Sequence, residues 1–255
     1  MAAPLTLSRA QPSSARSTAL VADGLTWQEY AADVPRFHGS ARRLLIEGQR
    51  TNSVPNPRAD GAVAGTPGTL PSNWNYIINT SGVSREVIGA VTVNGLPGLR
   101  LRFFGTPSAN GNIQVQYVQN NVVAASAGQV WTHTAFYRLA AGSLANLTNI
   151  RIRTRVSGSS QDVLTVLSPA MDGTLRRYGH TVTCNAGATF IYAELTFVIT
   201  NGQPVDGTVD FIAPQLELGP AASTPILPPV GTPGASTRGA DVVTATLASL
   251  GVSGL

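Results

Sequence analysis

Lysine is absent: all 17 basic residues are arginine, and only 12% of the 255 residues are charged. That is about half the roughly 25% usual for soluble globular domains, so Ser, Thr, Asn, Gln and Gly, or burial in an assembly, must keep the chain soluble. The arginines are scattered, with no run of five like charges, and the net charge is +4; a nucleic-acid partner is not expected. Cys184 is the single cysteine, which excludes an intrachain disulfide and leaves the fold to burial and hydrogen bonding. Within the strand-like Thr181–Cys184 it reads as a buried small hydrophobe. No apolar run approaches the ~18 residues of a membrane-spanning helix. Met1–Leu5 lacks the basic and apolar regions of a secretory signal, so synthesis and assembly in a bacterial cytoplasm are expected.

Catalytic signatures are equally scarce. His38, His133 and His180 lie far apart and form no metal-spaced pair. There is no GxSxG elbow, phosphate loop or GxGxxG turn, and no two of the 13 acidic residues form a suggestive pair. The chain is expected to be non-enzymatic and to hold no cofactor. Asp206 and Asp210 flank a Gly-containing turn and have the chemistry of a calcium site, but turn formation with solvated charge is the favoured reading and no metal is expected.

What is present is punctuation and alternation. The 26 Gly and 17 Pro separate short runs of period two, the mark of half-buried strands. Leu99, Leu101 and Phe103 alternate with Arg100, Arg102 and Phe104; Ile113, Val115 and Tyr117 with Gln114, Gln116 and Val118; Ile150 and Ile152 with Arg151, Arg153 and Arg155. Further strands are predicted at 85–93, 130–139, 163–167, 176–184, 189–199 and 208–218, with turns at Asn94-Gly95, Asn110-Gly111, Asp172-Gly173, Asn201-Gly202 and Asp206-Gly207. No helix beyond about two turns is expected. The fold class is all-β, an antiparallel β-sandwich of jelly-roll type.

The ends differ from the middle. Residues 1–55 hold one hairpin (17–21 and 25–30 about Asp23-Gly24) and an extended attachment segment, too short for its own core. Residues 56–219 are the sandwich. Residues 220–255 form a strap rich in proline and, from Ala240, an apolar segment suited to docking.

Two groups of side chains suggest binding. Trp74 and Tyr76 sit among amides in Ser72-Asn73-Trp74-Asn75-Tyr76, where aromatic planes could meet sugar C–H bonds while Asn73 and Asn75 bond hydroxyls; packing at the sandwich edge is the competing reading. Arg151, Arg153 and Arg155, with Arg100 and Arg102 as potential neighbours, read either as a charged face guarding a strand edge or as an attractor for acidic polysaccharide or an acidic partner. Trp131, Phe136 and Tyr137 are expected in the core and Trp27 at an interface.

Three stretches carry a resemblance. Val34-Pro35-Arg36-Phe37 leading to Arg43–Asn52 (RLLIEGQRTN) resembles a signature near the start of phage fibre and spike proteins. Asn56–Gly61 and Gly65–Trp74 are similar to the opening of the carbohydrate-binding-module-like jelly roll in those proteins. Pro214–Gly219, Thr224–Pro228 and Thr237–Asp241 resemble its closing strand and trailing strap. Together they bracket residues 34–241. The resemblance implies a structural protein of the virion of a tailed bacteriophage or gene transfer agent (head spike, capsid or tail fibre, or decoration), forming a homo-oligomer, trimer or pentamer, with other virion proteins and contacting host surface polysaccharide. It transfers framework and no binding residues. In the framework, Glu47 is expected to pair with Arg50. A purely architectural spike-base or connector protein and, further off, a polysaccharide-degrading enzyme are the alternatives.

Overall fold

The structure, a computed structural model, describes residues 6–9, 16–31 and 33–244; residues 245–255, most of the apolar docking segment, lie outside them. Six short strands lead in: β1 (Thr6–Arg9), β2 (Arg16–Leu20), β3 (Trp27–Tyr30), β4 (Phe37–His38), β5 (Arg43–Leu44) and β6 (Arg50–Asn52). Ten strands build the sandwich: β7 (Asn75–Ile78), β8 (Val83–Val93), β9 (Leu96–Gly105), β10 (Gly111–Ala124), β11 (Val130–Ser143), β12 (Leu147–Ser157), β13 (Gln161–Val166), β14 (Arg176–Thr183), β15 (Phe190–Ile199) and β16 (Val205–Leu218). Three follow: β17 (Ile226–Leu227), β18 (Ser236–Arg238) and β19 (Asp241–Thr244). There is no helix among the described residues.

The ten strands form two five-stranded antiparallel sheets, β13-β12-β15-β10-β7 and β14-β11-β16-β9-β8, and most connections cross from one sheet to the other. This is the expected jelly-roll sandwich, and every strand expected between 85 and 218 is present, within a few residues of its predicted bounds. Alternation explains why the sheets face one another: Ile113, Val115 and Tyr117 on β10 and Leu195 and Phe197 on β15 point inward against Leu101 and Phe103 of β9 and Val209 and Phe211 of β16, all fully buried.

Trp74 belongs to this core. It is 4% exposed, its ring packs against Tyr117 and Phe211 at 5.6 and 6.3 Å, and its indole N–H donates to the Asn56 carbonyl at 2.9 Å.

A line of polar side chains also crosses the core. Tyr137 and Tyr117 share a 2.7 Å hydrogen bond, Tyr117 meets His133 Nε2, and His133 Nδ1 lies 2.8 Å from Thr154 Oγ1. Thr154 continues to His180 Nε2 at 2.7 Å, and His180 Nδ1 to Thr165 Oγ1 at 2.9 Å. One direction of donation satisfies every link with both imidazoles neutral. Burial, together with neighbouring His180, drives His133 well below its usual pKa, and burial brings His180 down to about 4.

The flanking segments fold back onto the outer face of the β14-β11-β16-β9-β8 sheet. β2, β3 and β17 form a small sheet, β6 pairs with β18, and β1 with β19. Trp27 and Leu227 pack with outward-facing Phe136 and Ile212 in a second apolar cluster, and Trp27 meets Phe136 edge-on at 5.8 Å. Asp23 shapes the hairpin by accepting 2.8 Å bonds from the Leu25 and Thr26 amides.

The straps are joined by a buried ionic cluster. Arg36 and Arg238 are both fully buried. Arg36 donates to Glu47 at 2.8 Å and to Asp241 at 2.5 Å, and Arg238 donates to the same Glu47 oxygen at 2.8 Å. Thr224 adds its amide and hydroxyl to Glu47 at 2.9 and 2.6 Å. Burial raises the Glu47 carboxyl, but Arg238, Thr224 and Arg36 outweigh it and hold its pKa below the usual value. The expected Glu47–Arg50 pair is therefore corrected. Three residues apart in extended chain, the two side chains point to opposite sides, and Glu47 turns to Arg36 and Arg238.

Three outcomes follow for stability. Trp74→Ala should cost about 3–5 kcal/mol in denaturant unfolding, the range for emptying a large aromatic site. Glu47→Ala should cost a similar ~3–5 kcal/mol, because two buried guanidiniums lose their shared carboxylate; an unchanged midpoint would mean that the cluster does not hold the straps. Both core histidines are neutral when folded and protonate near pH 6.5 when unfolded. Stability should therefore be complete above that pH and fall as pH drops toward 4, by up to about 1.4 kcal/mol per pH unit for each histidine. A His133→Gln, His180→Gln variant should flatten that slope in urea titrations across pH 4–7.

Candidate functional site: the open sheet face

Among the described residues the flanks lie on one sheet, and no flanking strand pairs with or covers the other, β13-β12-β15-β10-β7. The register places Leu164, Arg153, Glu194, Gln116 and Asn75 side by side across all five strands. Arg153 reaches diagonally to Asp162 through two bonds of 2.7 and 2.5 Å and donates to Glu194 at 2.8 Å. The other Glu194 oxygen accepts from Gln116 Nε2 at 2.8 Å, and Asn75 Nδ2 donates to Gln116 Oε1 at 3.3 Å. The result is a continuous row of donors and acceptors. Its hydrogen bond to Asp162 holds the Arg153 guanidinium above its ordinary pKa, and the same bond, with Arg155 and Arg151 nearby, holds Asp162 below the usual carboxylate value.

The central strand β15 is the floor of this face. Its outward residues Tyr192, Glu194 and Thr196 are 7%, 0% and 1% exposed, while Arg151, Arg153 and Arg155 on one side and Gln114 on the other are half-exposed. At the β12–β13 turn the face ends in a cleft of about 340 Å³, lined by Arg155, Ser157, Ser160, Gln161, Asp162 and Tyr192 among others. The Arg155 guanidinium lies 5.3 Å from the centre of the Tyr192 ring. Gly158 makes the turn possible: its φ is +81°, and a Cβ there would come within 2.1 Å of the Gly187 carbonyl oxygen.

Of the expected site residues, Arg151, Arg153, Arg155 and Asn75 share one face. The aromatic platform is corrected. Trp74 is in the core, and β7 turns Tyr76 inward opposite Val115, stacked on Phe103 at 6.0 Å with the Arg85 guanidinium 5.2 Å from its ring. Burial pushes the Tyr76 hydroxyl up to about 12. Neither ring has a face to offer a sugar. Asn73 is exposed in the preceding turn at φ +64°.

Arg100 and Arg102 lie on the opposite sheet, apart from the Arg151 stripe. They also account for the calcium candidates. Asp210 is clasped by Arg100 and Arg138 at 2.7 Å each, and Asp206 by Arg102 at 2.7 and 2.8 Å. Cross-strand arginines occupy these carboxylates, and no cluster suited to a metal occurs among the described residues. Gln116, Glu194, Tyr192 and Asp162 escaped sequence reasoning. One signal was available for Glu194: a lone charge amid the apolar run Phe190–Ile199.

No protein-family model matches the chain, and no curated protein matches it by sequence. Among solved structures it is similar to the enzymatically active domain of tailspike protein 4 of bacteriophage CBA120, at 13% identity and a TM-score of 0.41, over 58% of this chain and 20% of that one. The match spans about a fifth of that domain's length. It is also similar to a family 61 carbohydrate-binding module in complex with β-1,4-galactotriose (13% identity, TM-score 0.36, 65% of this chain and 97% of that one). A family 11 carbohydrate-binding module of a Clostridium thermocellum cellulosomal cellulase matches at 14% identity and a TM-score of 0.34, over 64% of this chain and 96% of that one.

Proposed function

We propose that this chain is a non-enzymatic structural protein of a tailed phage or phage-like particle, and that it binds host surface polysaccharide on the open sheet face. The observation that carries the binding half is the row Asp162–Arg153–Glu194–Gln116–Asn75, running into a polar cleft beside Tyr192. Fixed donors and acceptors are what sugar hydroxyls require. The virion half rests on the strap motifs, whose Arg36, Glu47, Arg238 and Asp241 meet in one cluster. In this reading the straps and apolar termini hold the chain in a homo-oligomer on the head or tail surface.

Binding is favoured over turnover by the pairing of the two carboxylates. Asp162 and Glu194 bond the same guanidinium and Asp162 is held ionised, whereas a glycosidic general acid must be protonated. A second, purely architectural reading draws on the internal satisfaction of the row: Glu194 is fully buried and bonded on both oxygens.

One experiment separates the two. A Gln114→Ala, Tyr192→Ala variant should lose about tenfold or more in affinity for isolated host surface polysaccharide, the equivalent of one or two lost hydrogen bonds. Arg176→Ala, on the other sheet, should leave affinity unchanged. Equal binding by all three proteins would sink the open-face site, and absence of the chain from purified particles by mass spectrometry would sink the virion role.

A further inference from the structure

We infer that the polysaccharide bound on the open face is anionic, and that Arg151 and Arg155 are the residues that select it. The inference rests on the glycan-binding reading above and names the class of ligand. Arg151, Arg153 and Arg155 project from the same side of β12, yet only the middle one makes close ion pairs. Arg153 takes both carboxylates within reach, Asp162 at 2.5 Å and Glu194 at 2.8 Å. No carboxylate among the described residues lies within ion-pair distance of Arg151 or Arg155, although Asp162, opposite Arg155 in the register, feels both charges; three arginines against the two carboxylates leave the stripe with an excess of one positive charge.

Each outer arginine carries a mark of its own. Arg151 is half-exposed at the far end of the stripe, with no carboxylate among the described residues in ion-pair contact. The Arg155 guanidinium lies against the Tyr192 ring at the rim of the cleft, which limits its freedom before any ligand binds. A guanidinium matches a carboxylate, sulfate or phosphate ester with two parallel hydrogen bonds. Four residues of strand separate the two arginines, about 13 Å at ~3.3 Å per residue, which requires a ligand with anionic groups repeated along its length. A protein partner is the weaker alternative, because a protein interface needs an apolar core and the centre of this face is Glu194, Gln116 and Thr196.

The test measures binding of the purified chain to polygalacturonate and to neutral galactan by affinity electrophoresis, at about 0.02 M and about 0.3 M salt, where screening lengths differ severalfold. The expected result is binding to polygalacturonate that weakens tenfold or more at the higher salt, with galactan bound poorly. Arg151→Gln, Arg155→Gln should remove that preference without moving the thermal midpoint, and Arg176→Gln should not. If galactan binds as well as polygalacturonate and the Arg151 and Arg155 changes have no effect, the anionic class is wrong and the glycan face survives. If neither polymer binds, and particles carrying the double variant fail to assemble, the face is a protein contact and both readings fall.

Discussion

The constraint on which the rest of the molecule depends is electrostatic. Arg36 and Arg238 are fully buried, and Glu47 and Asp241 are the acids that compensate them. A buried charge without a partner is too costly to persist, so the leading strap and the trailing strap, about two hundred residues apart in sequence, must meet. Once they meet, the flanking strands cover one sheet and bring Trp27 and Leu227 onto Phe136 and Ile212. That choice of covered sheet leaves the other face open.

On the open face the same chemistry is used differently. Arg153 does not join distant parts of the chain; it bridges Asp162 and Glu194 on the strands either side of β12. The sheet supplies the spacing, because pleating sets every second side chain outward and register sets the neighbours. A row of fixed polar groups can arise there without a loop to position it, and this rigidity limits the entropy lost when a long ligand is laid across it.

Much of the fold was legible in the sequence because alternation is a local property. Leu99, Leu101 and Phe103 announce a half-buried strand whatever lies opposite, and Asp23-Gly24 announces its hairpin. What alternation cannot carry is the identity of the covering layer. Phe136 and Ile212 point away from the main core, and only the folded-back straps explain why they are apolar. Trp74 illustrates the same limit: amides on either side of it suggest solvent, but its indole N–H belongs to the Asn56 carbonyl and its ring to Tyr117 and Phe211. The arginines that occupy Asp206 and Asp210 were not legible, because they come from strands 72 to 110 residues away in sequence. The Arg151, Arg153 and Arg155 stripe was readable as a stripe; which of the three makes the close ion pairs was not, since that turns on Glu194 and Asp162 from neighbouring strands.

The pairing of β1 with β19 has a mechanical consequence. The two strands run antiparallel with Thr6 opposite Thr244 and Arg9 opposite Asp241, so tension applied at the outer ends of this ribbon opens it one pair at a time, like a zip. The opening then arrives at Asp241, where Arg36 holds the strand by a 2.5 Å ion pair. A pull too weak to break that clasp would peel only the ribbon and leave the two sheets and the open face between β7 and β13 undisturbed.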